Sequence, residues 1–364
     1  MRPEWIASTR FDLGLIIGPP VAAVLLVLAL PSMRAVETPG WGWLIFVVFV
    51  DVAHVYSSLY RTYFEPDEFA RRRLFYLATP LACFLGGVAL YSVGSTVFWR
   101  VLAYVAVFHF IRQQYGFVMV YRHRAGERST SSALVDKCAI YAAMVYPLAL
   151  WHRDPSSRNF EWFMEGDFVQ LPDWVATGAV VFYAASLLLF AARQVQVFAH
   201  TRTVNWGKIG IVGSTAAVWY VGIALLDSDF AFTVTNVVAH GVPYMALVWL
   251  YGRRRWAGNP SWRGAIHRPA GVGLFVGLLF ALAYAEEGLW ELFVWQEHAE
   301  VFLGMALNFE VPSWVLTILV PLFTVPQATH YILDARIWKF DGSNPNLRYC
   351  LFLEGAAPAA ANDS

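Results

Sequence analysis

The sequence predicts an all-α, polytopic transmembrane helix bundle of about ten spans with both termini in the cytoplasm. Three observations carry that prediction. The chain is 58% hydrophobic and only 14% charged, against roughly 25% charged in an ordinary soluble domain. Its apolar residues gather into stretches of about 20, the length a helix needs to cross hydrocarbon. The loops between these stretches alternate in charge along the chain.

The predicted spans cover residues 11–30, 41–63, 74–93, 97–121, 134–151, 174–192, 207–226, 230–251, 270–285 and 313–333. Each would satisfy its backbone N–H and C=O groups internally, as hydrocarbon demands. Basic residues follow every even-numbered span: Arg61, Arg71, Arg72 and Arg73 after the second, Arg122, Arg124 and Arg128 after the fourth. Arg193, Arg202 and Lys208 follow the sixth, Arg253, Arg254, Arg255, Arg263 and Arg268 the eighth, and Arg336, Lys339 and Arg348 the tenth. The other loops are short, neutral or acidic, as at Asp227 and Asp229 or at Glu286, Glu287, Glu291, Glu297 and Glu300; Arg153 and Arg158 are outnumbered by adjacent acids. Positive loops face the cytoplasm, so the pattern sets both direction and count. The expected organisation is one bundle over 1–340 and a cytoplasmic tail over 341–364, disordered from 355, in a bacterial cytoplasmic membrane. Residues 289–302 (LWELFVWQEHAEVF) read as an amphipathic helix lying on the outer surface.

Composition also excludes some functions. Formal net charge is zero, which argues against nucleic acid as a partner. Cys83, Cys138 and Cys350 form no CxxC pair, so no disulfide framework or thiolate metal site is expected. The expected partners are membrane lipids and a lipophilic small molecule.

Four spans carry polar groups that a passive helix would avoid. The second reads DVAHVYSSLYRTYFEPDE, with Asp51 and His54; the fourth VFHFIRQQYG, with His109, Arg112, Gln113 and Gln114. The eighth reads TNVVAHGVPY, with Asn236 and His240, and the tenth PQATHYILDARIWK, with Gln327, His330 and Asp334. An ionisable group in a span is expensive and is functional by default. Each histidine has a polar companion three or four residues away, on the same helical face. Counted back from the basic ends at about 1.5 Å per residue, His54, His109 and His240 lie roughly 14–18 Å deep and His330 about 9 Å. Pro326 is placed to bend the last helix.

Imidazoles and carboxylates at compatible depth suit a transition metal, held in a bundle core by facing helices. His54, His109, His240, His330, Asp51 and Asp334 are the candidate ligands or their orienting partners, with iron the expected metal. Arg112 and Gln113 are candidates to act on the substrate, Arg112 also as a partner for Asp51, Asp334 or an anionic headgroup. Asn236 and Gln327 read as interhelical hydrogen-bonding residues and Gly116 as a close-packing position. His123, His152, His200, His267 and His298 read as surface residues.

The segments DVAHVY, VFHFIRQQYG and VVAHGVPYMALV resemble the His-centred segments of the Brp/Blh family of bacterial membrane carotenoid-cleaving dioxygenases. The resemblance covers short patches on three helices. It implies His54, His109 and His240 as iron ligands and oxidative attack on a long polyene or similar lipid. The HxxxH and HxxHH boxes of membrane desaturases are absent. Three other readings stand beside this one: a transporter or channel with a polar site at the midplane, a haem held by two histidines, and an assembly protein that uses polar residues only to join helices.

Overall fold

The computed structural model describes residues 5–155, 166–304 and 310–355. Arg158, residues 305–309 and the tail from 356 lie outside the described residues. Every regular element among the described residues is helical. Ten of them are long: α1 (Thr9–Ala29), α2 (Gly40–Arg61), α3 (Arg73–Val93), α4 (Ser95–Ala125), α5 (Thr130–Arg153), α6 (Asp173–Thr201), α7 (Trp206–Leu225), α8 (Asp229–Arg255), α9 (Pro269–Trp295) and α10 (Ser313–Ile337). Nine are long and apolar enough to cross a membrane. The other is α4, which carries Arg100, Arg112, Arg122 and Arg124.

Side-chain oxygens start several of these helices by accepting an otherwise orphaned backbone N–H. Ser8 accepts from Phe11 at 3.2 Å, Asn205 from Lys208 at 3.1 Å and Ser228 from Ala231 at 3.0 Å. Five spans also contain wide, π-helical stretches, including Trp43–Val52 in α2 and Thr233–Val237 in α8. α10 breaks at Thr324 into Ser313–Phe323 and Val325–Ile337. Pro326 sits in the first turn of the second piece, where its missing N–H leaves no gap.

The helices form two compact groups. The first comprises residues 1–38 and 106–243. There α5 packs against α6 and α7, and α1 against α7. Asp136, fully buried on α5, is engaged by Arg122 of α4 and by Lys208 of α7 at 3.1 Å. Lys208 also reaches Glu127 at 2.7 Å. α4 and α7 touch closely where a Cβ on Gly207 would lie 2.1 Å from the Tyr121 ring. Gly116, expected as a close-packing position, faces nothing within 4 Å.

The second group comprises residues 39–105 and 244–364. α9 packs on α2, α3 on both pieces of α10, and the second piece of α10 also on α2. Val48, Ala53, Tyr60, Tyr244, Phe275 and Leu279 meet in its core. Beneath them lies a buried ionic network. Arg61 is 3.4 Å from both Glu65 and Glu68, and Arg255 donates to Glu65 at 2.8 Å. Arg71 and Arg72 pair with Glu68, which accepts the Tyr76 hydroxyl at 2.6 Å. Several residues counted as loop charges, Arg61, Arg122, Lys208 and Arg255, are therefore buried in ion pairs.

Two expectations are corrected. Residues 289–302 form no separate surface helix: α9 continues to Trp295, the chain turns at Gln296 in left-handed conformation, and Glu291 accepts the Glu297 and His298 N–H groups. An acceptor reaching back to two N–H groups stabilises a turn rather than a helix. His152 and His267 are buried, not at the surface, because each sets Nδ1 2.7 Å from the carbonyl four residues earlier and packs its ring on aromatics. In the segment after 340, Leu347–Phe352 is a helix with Leu347, Cys350 and Leu351 fully buried.

Removing one partner from a buried ion pair strands the others. Asp136→Ala should lower stability in detergent by about 3–5 kcal/mol, read as a fall in the unfolding midpoint. Glu68, outside the spans, makes a pH prediction. Burial alone would raise its carboxyl, but Arg61, Tyr76, Arg71 and Arg72 hold it below the ordinary 4.5. A depressed carboxyl stabilises the fold above its unfolded value and loses that contribution as pH falls through the folded one. The melting temperature should therefore drop as pH goes below about 4.5, with a smaller drop in Glu68→Gln.

Candidate metal centre

In the first group, His109 on α4 and His240 on α8 lie with ring centroids 5.1 Å apart, edge to face. Both are buried. Phe110 stacks on His240 at 3.7 Å, an apolar wall that fixes the plane of the imidazole. Two amides join these helices: Gln113 Nε2 donates to the His240 carbonyl at 2.8 Å, and Gln114 Nε2 to the Ala239 carbonyl at 3.0 Å. Thr215 donates in turn to Gln114 Oε1 at 3.2 Å. Pairs of this kind set the axial register of two packed helices.

In the second group, His54 on α2 and His330 on α10 lie 5.0 Å apart, again edge to face. Tyr244 closes on both, 5.8 Å from His54 and 5.2 Å from His330. Asp51 Oδ1 is 3.6 Å from His54 Nδ1. Asp334 accepts the Trp338 indole N–H at 2.5 Å and interacts electrostatically with the Tyr244 hydroxyl.

One ring nitrogen from each of His54, His109, His240 and His330 lies within 4.8 Å of the others, and all four residues are buried. Among the described residues this is the group of His, Cys, Asp and Glu that could hold a metal ion. Nitrogens this near one another are candidate ligands for a single ion. The chemistry of the donor set suits Zn, Cu, Fe or Ni.

The remaining predicted site residues fall in different places. Neither Asp51 nor Asp334 belongs to the four-nitrogen group; Asp51 stands beside His54, while Asp334 lies four residues beyond His330 and accepts the Trp338 indole N–H. Gln113 Nε2 binds the backbone of α8. Arg112 is exposed, donates to the Tyr141 hydroxyl at 3.2 Å and lies over the Tyr115 ring. Asn236 is four residues before His240, yet it bonds the Phe232 carbonyl and Thr235. It lies in a π-helical stretch, where α-helical spacing does not apply. Gln327 donates to the Tyr331 hydroxyl at 2.6 Å.

Sequence reasoning missed the aromatic residues around the centre: Phe110, Tyr244 and Trp338. A signal existed, since each follows a candidate site residue by one or four positions, so two of them share its helical face.

A carboxylate beside a ligand histidine orients the ring and raises its basicity. Asp51→Asn should weaken metal binding about 10–100-fold in a titration of purified protein, while leaving the far-ultraviolet circular dichroism unchanged. Comparison of the chain with family models, with curated proteins and with solved structures finds no match.

Proposed function

We propose that this chain is an integral membrane metalloprotein, an iron-dependent oxidoreductase of the oxygenase type that acts on a lipophilic substrate entering from the bilayer. The observation that carries the reading is the convergence of four buried imidazole nitrogens within 4.8 Å.

Iron is preferred on coordination grounds. Zinc is normally complete with four protein ligands and would then be structural. Octahedral iron keeps positions for an oxidant or substrate after four nitrogens have bound. With a dication bound, Asp51 and Asp334 as carboxylates would offset charge that neutral imidazoles cannot neutralise. The exposed faces of the long helices are rich in Leu and Val, as on α3 and α6, so an apolar substrate already dissolved in the bilayer is the natural one. The resemblance of three His-centred segments to Brp/Blh dioxygenases supports a polyene as that substrate.

Metal analysis tests this directly. Protein purified in detergent under reducing conditions should carry one iron per chain, and the His54→Ala, His240→Ala double variant should carry none. Wild-type protein without stoichiometric metal, or metal content indifferent to the double change, would falsify the reading.

A further inference from the structure

Tyr244 occupies an unusual position. Its side chain is 1% exposed and its ring touches two of the four histidines edge to face. On the side away from them it meets Trp338, at 6.1 Å between centroids. Trp338 is only partly buried, so the run of rings passes from the centre to the protein surface in two steps. Asp334 serves both: it accepts the Trp338 indole N–H and interacts with the Tyr244 hydroxyl. By contrast, the ring stacked on His240 is Phe110, which has no ionisable proton and is hard to oxidise.

We infer that Tyr244 and Trp338 form a one-electron relay between the metal centre and the protein surface. The inference rests on the metalloprotein reading above. In the relay, Tyr244 would give one electron to an oxidised metal held by the histidines, and its phenolic proton would move to the Asp334 carboxylate. An electron from Trp338 then refills Tyr244, which recovers its proton from Asp334. The electron vacancy rests on Trp338, where a soluble one-electron reductant restores it. The oxidant that drives the sequence is dioxygen or peroxide reacting at the metal. Short ring-to-ring separations favour such transfer because electronic coupling falls steeply with distance. A buried phenol needs a nearby base, since losing an electron without losing its proton would leave a cation in an apolar site.

The Tyr331 ring is also close to His330, at 5.8 Å, but its hydroxyl takes the Gln327 amide and its ring is not in the run to Trp338. It provides a control. Iron-loaded protein mixed with hydrogen peroxide and freeze-quenched should show an organic radical by electron paramagnetic resonance. Tyr244→Phe, which keeps the ring, should lose most of that signal, and Tyr331→Phe should keep it. Trp338→Phe should form the Tyr244 radical and hold it several-fold longer, because its exit is blocked. Three results overturn the relay: a wild type that consumes peroxide without any organic radical, a signal unchanged in Tyr244→Phe, or a lifetime unchanged in Trp338→Phe. Iron is measured on each sample. A chain that binds no iron removes the metalloprotein reading and the relay with it, whereas an iron-loaded chain without the radical removes the relay alone.

Discussion

A polar group in hydrocarbon must find its partner within the protein, and most of this structure follows from that constraint. The backbone meets it with helices, the form of every regular element among the described residues. The charged side chains meet it by gathering into two buried networks, one around Asp136 and one around Glu65 and Glu68. The amides of Gln113 and Gln114 meet it by donating to carbonyls of the neighbouring helix. The histidines pair within each group, His109 with His240 and His54 with His330, edge to face. Such groups are costly when isolated and specific when paired.

That constraint also explains how much of the molecule was legible in the sequence. Apolar runs of sufficient length marked the long helices, since nothing else in the chain has that composition. His54, His109, His240 and His330 stood out because an ionisable residue in a span is rare. Their depths were compatible with convergence, and the helix that carries the shallower His330 breaks at Thr324. What stayed hidden depends on geometry that one-dimensional spacing does not encode. The wide turns at Trp43–Val52 and Thr233–Val237 alter which residues share a face. Asn236 accordingly faces backbone, where ordinary helical spacing set it beside His240.

Charge patterns were legible in a different sense. The alternation of basic and neutral loops is a rule about orientation, yet several of its arginines are tied to carboxylates inside the helix groups. A cation that neutralises a buried acid contributes to the same pattern as one that stays in solvent. Sequence alone cannot separate the two, because the partner acid lies far away along the chain: Arg255 with Glu65, Lys208 with Asp136.

The contact between His54 and His330 has a consequence for how the molecule is made. A ribosome delivers α2 to the bilayer near the beginning of translation and α10 near its end. Throughout that interval His54 waits in the nascent chain without the neighbour it will finally face. The centre is therefore among the last features to be completed during biogenesis. A chain stalled or cleaved before α10 would insert most of its helices and still lack the fourth imidazole.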